Sequence, residues 1–219
     1  MKDVIIVSGG NIQRDFALDF LQKKKKENVC LIAADKGVEF FIKTDWVPDV
    51  AVGDFDSLSA AGEKYLDSLK ETEIVRLKPE KDDSDTQSAV NFAIDRGAKN
   101  ITIFGATGNR IDHLLANFGL LVLGRERGTD IILIDQWNYM KLVESGTVLK
   151  KKEQFGKYVS FFSLEGDMPG LTLVGFKYPL DHYHLRVSDS GLTVSNEIEA
   201  EEAVVSFDGK SLLMLMTRD

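Results

Sequence analysis

A chain of 219 residues is long enough to bury a substantial core, as one large domain or two small ones. Its hydrophobic fraction of 43% and charged fraction of 28% are those of an ordinary soluble globular protein. A formal charge of −8 argues against a nucleic-acid binder that works by neutralising phosphates; it disfavours free ATP, but not a metal–ATP complex or an organic cation.

The first apolar stretch, residues 4–7, is too short for a signal peptide or membrane span and reads as a strand running into the Gly9–Gly10 turn. The cytoplasm is therefore the expected location. An amphipathic helix follows over residues 11–25, its end marked by the lysine run 23–26, where cations complement the helix dipole. Further strands are expected at 29–33, 49–52, 73–77, 100–104 and 131–134, with helical segments between them at 37–43, 59–69, 85–96 and 111–125. Ser59 and Ser84 suit helix starts. Cys30 is the single cysteine, makes no internal disulfide and reads as a small core residue, which fits a reducing compartment. Strands alternating with helices imply a doubly wound, mostly parallel sheet with flanking helices.

Beyond about Asp135 the rhythm changes. Short alternating segments at 157–164, 171–176, 191–198 and 203–207 are separated by Gly, Asp and Ser turns, with hairpin signals at Asp189-Ser190-Gly191 and Asp208-Gly209. A smaller antiparallel β-sandwich is expected there, dividing the chain into domains 1–136 and 137–219.

Aspartates cluster just after the apolar runs. They occur in Ala34-Asp35, in Gly53-Asp54-Phe55-Asp56-Ser57, in Lys81-Asp82-Asp83-Ser84-Asp85, and in the loop from Gly105 through Gly108, Arg110 and Asp112 to His113. Open parallel sheets bind ligands beyond their strand carboxyl ends, and carboxylates gathered there repel unless a cation neutralises them. Oxygen-only donors favour a hard ion such as Mg²⁺, which bridges to substrate phosphates. In extended backbone Asp54 and Asp56 would share one face and grip one ion. Such turns also occur in metal-dependent glycosyltransferases and phosphatases, so the pentapeptide names a metal rather than a reaction. Lys81 can pair with a phosphate oxygen, and Asp82 and Asp85 can reach a metal or its waters. The loop 105–113 is neither a Walker A loop nor a dinucleotide fingerprint, yet its glycines let backbone N–H groups approach an anion. Arg110 there can hold a phosphoryl group by two donors, and Asp112 can face the metal. His113 can orient Asp112, accept a proton or satisfy a helix-end carbonyl.

In this order and spacing the segments resemble the thiamine pyrophosphokinase family. The family shows an Ala-Asp-x-Gly turn, a Gly-Asp-Phe-Asp-Ser turn, a Lys-Asp-x-Thr-Asp segment and a Gly-Ala-x-Gly-Gly-Arg-x-Asp-His loop. Here they read Ala34-Asp35-Lys36-Gly37, residues 53–57, 81–85 and 105–113, and Val194-Ser195-Asn196-Glu197 matches a late signature. The resemblance implies Mg²⁺-dependent transfer of a diphosphoryl group from ATP to the thiamine hydroxyl, giving thiamine diphosphate and AMP. It implies a homodimer, with no nucleic-acid or membrane partner. Asp54, Asp56 and Asp85 would hold Mg²⁺, with Asp35 and Asp82 supporting. Arg110 and Asp112 would join these three acids in catalysis, and Asp56 or Asp112 would take the hydroxyl proton. Lys81, Asp82, Ser84, Gly105, Gly108, Arg110 and His113 would bind the nucleotide. Asp35, Ser195 and Asn196 would bind substrate. Three positions depart from the pattern: Lys36 where a second glycine is common, Ser84 for threonine, and Asn109 for the glycine before Arg110. The rival expectations are a phosphatase using Asp54 as nucleophile, a nucleotide-sugar transferase, and a binding module without turnover.

Overall fold

The computed structural model describes residues 2–24, 29–78, 80, 82–108, 110–189 and 191–219. It divides into two compact units, residues 1–136 and 137–219.

The first unit is a parallel α/β layer. Its strands are β1 (Asp3–Val7), β2 (Val29–Ala34), β3 (Val50–Gly53), β4 (Glu73–Arg76), β5 (Asn100–Phe104) and β6 (Asp130–Ile134), in spatial order β4-β3-β2-β1-β5-β6. Every one of these pairings is parallel. The central strands read as unbroken apolar runs because both faces are covered; Val4 to Val7 are all at most 3% exposed. The helices are α1 (Arg14–Lys24), α2 (Ala60–Ser68), α3 (Asp85–Asp95) and α4 (Ile111–Glu126). Ser59 and Ser84 cap α2 and α3 by accepting from the N–H groups of Gly62 and Gln87. In α3 the apolar positions Ala89, Val90, Ala93 and Ile94 fall on one face and are buried. The expected helix at 37–43 is a 3-10 helix, Asp35–Phe41, which begins directly at the end of β2. Lys25 and Lys26 of the first lysine run lie outside the described residues.

The strand order places the site. From β1 the chain winds outward through β2, β3 and β4, then returns to the other side of β1 as β5 and continues to β6. The loops leaving β1 and β5 therefore diverge, and a crevice opens at their carboxyl ends, where parallel sheets bind ligands.

The second unit is the antiparallel sandwich. Its strands are β7 (Asn138–Val143), β8 (Thr147–Lys150), β9 (Tyr158–Phe162), β10 (Met168–Val174), β11 (Leu180–Leu185), β12 (Glu202–Ser206) and β13 (Leu212–Thr217). One layer runs β7-β13-β9 and the other β11-β10-β12-β8. The buried faces of both share one cluster that includes Phe161, Leu171, Leu173, Val205 and Met214.

Three expectations in this unit need correction. Residues 191–198 form no strand among the described residues; they are turns touching neighbours through single bridges, Val159 to Asn196 and Phe176 to Ile198. The signal at Asp189 and Gly191 therefore starts no hairpin, and Ser190 within it lies outside the described residues. Asp208-Gly209 joins β12 to β13, which pair in different layers, so it turns a corner between sheets. Local turn chemistry names a reversal and not the partner on which the returning strand lands. No helix of the described residues is long and apolar enough to cross a membrane.

Candidate active site

A cleft of about 370 Å³ lies at the β1/β5 crevice. Ser8 to Asn11 after β1 form one wall, and Gly105, Ala106 and Gly108 after β5 form the other. The two loops are stitched together by Ser8 N–H to Phe104 O at 2.8 Å and Gly10 N–H to Gly105 O at 3.1 Å. Glycine is required at this contact: a Cβ on Gly10 would stand 2.2 Å from the Gly105 carbonyl oxygen, and Gly105 has φ +72°. Ser84, Asp85 and Thr86, at the start of α3, border the same cleft. The Ser8 and Thr86 hydroxyls hydrogen-bond at 2.6 Å, tying that helix start to the end of β1.

Asp35, Asp54 and Asp56 each bring a carboxylate oxygen within 4.8 Å of the other two. Two backbone features produce this convergence. Gly53 lets the end of β3 run against the end of β2, where an added Cβ would sit 2.9 Å from Asp35 Cα. Phe55 takes φ +65° with its ring 6% exposed, so the chain reverses around a buried aromatic and leaves the acids on either side of it at the surface. The two aspartates therefore meet through a turn, not through the alternation of an extended strand. The Asp56 N–H donates to Asp54 Oδ1 at 3.2 Å within that turn. Asp35, itself at φ +47°, accepts from Ser57 Oγ at 2.5 Å through Oδ2, while its Oδ1 is buried with no hydrogen-bond partner among the described residues.

Electrostatics follow from the crowding. The Asp54 charge pushes the Asp56 carboxyl above the usual aspartate range, helped by desolvation, Asp35 and, more weakly, Asp85. Of the expected trio, Asp54 and Asp56 lie together, and the third carboxylate beside them is Asp35. Asp85 borders the cleft and is close enough to be felt, but lies outside the cluster.

Arg110 stands at the start of α4 and borders the cleft, but its guanidinium is turned onto Asp112, with contacts of 2.5 and 3.1 Å. Those hydrogen bonds hold Asp112 below the usual carboxylate range and raise Arg110. Asp112 belongs to this pair and lies outside the acidic cluster. His113 borders the cleft. Asp82 is exposed and does not line it. Its neighbour Asp83 is held by Gln87 Nε2 and Asn91 Nδ2 along α3, a structural post. Lys81 and Asn109 lie outside the described residues.

Ser195 and Asn196 sit in the turn region of the second unit. Ser195 is exposed at φ +56° and its N–H donates to Ser160 Oγ. Asn196 is 1% exposed, and its amide is engaged by backbone: Oδ1 accepts from the N–H groups of Tyr178 and Glu197, and Nδ2 donates to Tyr178 O. Asn196 fixes the turn, leaving Ser195 as the member presented to solvent.

Ser8, Thr86 and Asn117 carry no role in the sequence reading. Asn117 is 8% exposed in α4 and donates to Ala106 O at 2.8 Å, bracing the loop after β5. An asparagine among the apolar residues of α4 was the available signal. The Gly9–Gly10 pair after a strand was another.

Two family models match the chain: "Thiamin pyrophosphokinase, catalytic domain" over residues 21–133, and "Thiamin pyrophosphokinase, vitamin B1 binding domain" over residues 146–212. A curated thiamine pyrophosphokinase of Bacillus subtilis (strain 168) is 33% identical over 221 residues, covering 100% of both chains. Among solved structures, a thiamine pyrophosphokinase from Bacillus subtilis matches with a TM-score of 0.86 at 31% identity, covering 100% of both chains. A thiamin pyrophosphokinase family protein from Enterococcus faecalis matches with a TM-score of 0.82 at 32% identity, again over 100% of both.

Proposed function

The chain belongs to the thiamine pyrophosphokinase family, and we propose that it moves the diphosphoryl group of ATP onto the thiamine hydroxyl, with Mg²⁺ held at the acidic turn. The hydroxyl oxygen attacks the β-phosphorus, the bond from that phosphorus to the bridging oxygen breaks, and AMP leaves with thiamine diphosphate as the other product.

The observation that carries this reading is the Asp35/Asp54/Asp56 cluster beside the glycine-lined β1/β5 cleft. The donor set fits a hard divalent cation: all oxygens, mutually close, with one Asp35 oxygen buried and lacking a hydrogen-bond partner among the described residues. Bound there, Mg²⁺ supplies charge neutralisation on the phosphate oxygens.

The remaining work falls to the chain's own groups. The backbone N–H groups of the loops after β1 and β5, and the start of α3, cradle phosphate oxygens. Ser84 and Asp85 hold that helix start at the cleft. The Arg110–Asp112 pair is exposed on both sides, so it is weak and readily exchanged for a phosphate partner. Asp56 or Asp112 takes the hydroxyl proton; the loose transition state asks little of either. Ser195 contacts thiamine from the second unit, positioned by the buried Asn196. The thiazolium cation is attracted by the acidic charge of the chain. A cytoplasmic homodimer completes the proposal.

Incubation with thiamine, ATP and Mg²⁺, with separation of products, tests it. AMP and thiamine diphosphate are expected. ADP with thiamine monophosphate, or phosphate release without thiamine, would overturn it.

A further inference from the structure

We propose that Lys36 is a polyphosphate-recognition residue, its ammonium contacting the phosphates that the neighbouring metal cluster serves and setting the affinity for a triphosphate; this rests on the diphosphokinase reading. Among the described residues the cations bordering the cleft are Lys36 and Arg110, with His113 able to join them on protonation. Arg110 rests on Asp112 at 2.5 Å in an exposed pair and must exchange that partner before it can serve a phosphate. Lys36 makes no ion pair or hydrogen bond among the described residues, although Asp35 precedes it and Glu39 follows three residues on. Glu39 feels its charge only as the weakest of four influences. An unengaged cation at the mouth of an acidic cleft is either a solvated surface lysine or a group awaiting an anion. The backbone favours the second.

Lys36 is held in place on both sides. Asp35 before it belongs to the acidic cluster and turns the chain at φ +47°. Gly37 after it lies so close to the end of β1 that a Cβ there would stand 1.9 Å from Val7 O. The Lys36 side chain leaves this pinned turn beside Gly9, where an added Cβ would come 3.1 Å from Lys36 Cβ. Its stem thus starts against the β1 loop, the wall that offers backbone N–H groups to an anion, one residue from a carboxylate of the cluster. A flexible ammonium at that origin acts as a point charge on a phosphate, in the manner of phosphate-loop lysines.

The position also says which phosphates it serves. A hard ion on Asp35, Asp54 and Asp56 would be completed by phosphate oxygens of the diphosphoryl group that is transferred. Lys36, adjacent to Asp35, serves those same phosphates and not the single phosphate of AMP. It therefore discriminates ATP from AMP by the number of phosphates.

Titration calorimetry of ATP and AMP with saturating Mg²⁺, on the parent protein and on Lys36→Met, Lys36→Gln and Lys36→Arg, tests this. ATP binding should weaken about 10- to 100-fold in the Met and Gln variants, as for loss of one charge-assisted hydrogen bond, and return largely in the Arg variant. AMP affinity, thiamine KM and Tm should stay at parent values, because Lys36 is exposed. Parent-like ATP affinity in both neutral variants, or equal losses for ATP and AMP, would overturn the role of Lys36 while leaving the diphosphokinase reading in place. Failure of the parent protein to bind ATP at all would remove that reading and this inference together.

Discussion

Ser57 Oγ donates to Asp35 Oδ2 at 2.5 Å, so a hydroxyl from the turn after β3 orients a carboxylate from the end of β2. One carboxylate of the proposed metal site is thus held by a side chain that need not touch the metal. Ser57→Ala should raise the half-saturating Mg²⁺ concentration about tenfold, as for loss of an outer-shell partner, while turnover at saturating Mg²⁺ stays close to the parent. Ser57 is exposed, so Tm should not move. An unchanged Mg²⁺ titration would separate this hydroxyl from the metal.

Asp54 and Asp56 should behave as residues kept for function at some expense in stability. Folded Asp56 holds its proton more tightly than the unfolded chain does, chiefly because of Asp54. Its contribution is therefore neutral below the ordinary aspartate value of 3.8, turns unfavourable as pH rises through the raised folded value, and stays so at neutral pH. Asp56→Asn should melt higher than the parent at pH 7 in chelated buffer, with the advantage shrinking towards pH 4. Adding Mg²⁺ should raise the parent Tm and barely shift the variant. AMP formation should fall on the order of 10³-fold in Asp54→Asn and Asp56→Asn. A folded variant with parent turnover would remove its carboxylate from the mechanism.

Arg110→Lys should bind ATP more weakly and turn over on the order of 100-fold more slowly, with thiamine KM preserved, because an ammonium cannot reproduce two parallel donors. The variant should keep its Tm, since the pair it disrupts is exposed at both ends. Steady-state kinetics in each substrate separately would show whether the loss follows the nucleotide.

Ser195 and Asn196, adjacent in sequence, should separate cleanly. Asn196→Ala strands backbone groups of Tyr178 and Glu197 and should destabilise the protein by about 1–3 kcal/mol. Ser195→Ala should leave the melting curve alone and raise thiamine KM. A normal Tm in Asn196→Ala would contradict its structural assignment.

Much of this architecture was legible because its signals are local. Parallel strands buried on both faces write continuous apolar runs, and the expected strand at 100–104 coincides with β5 to the residue. Serine caps mark helix starts through their own hydrogen bonds, as at Ser59 and Ser84. The second unit was harder because its strands β7, β8 and β11 are short or carry mixed burial, and strand partners there are set across a sandwich. The corner at Asp208-Gly209 has the composition of a hairpin, and only the pairing of β13 with β7 and β9 shows otherwise. At the site, the motifs named the aspartates, but not which of them converge. That depended on Phe55 entering a left-handed conformation and on Gly53 allowing two strand ends to touch, neither of which spacing reveals. The resting partner of Arg110 was likewise two residues away and invisible without coordinates.

The position of β13 between β7 and β9 has a consequence for how the molecule is made. In the first unit the earliest strand, β1, lies in the middle, and each later strand can add to an existing edge as synthesis proceeds. In the second unit β7 and β9 emerge from the ribosome with no mutual pairing and wait for residues 212–217 to bridge them. Nascent chains should thus acquire the parallel layer of the first unit early and protease resistance in the sandwich only once residues 212–217 have emerged.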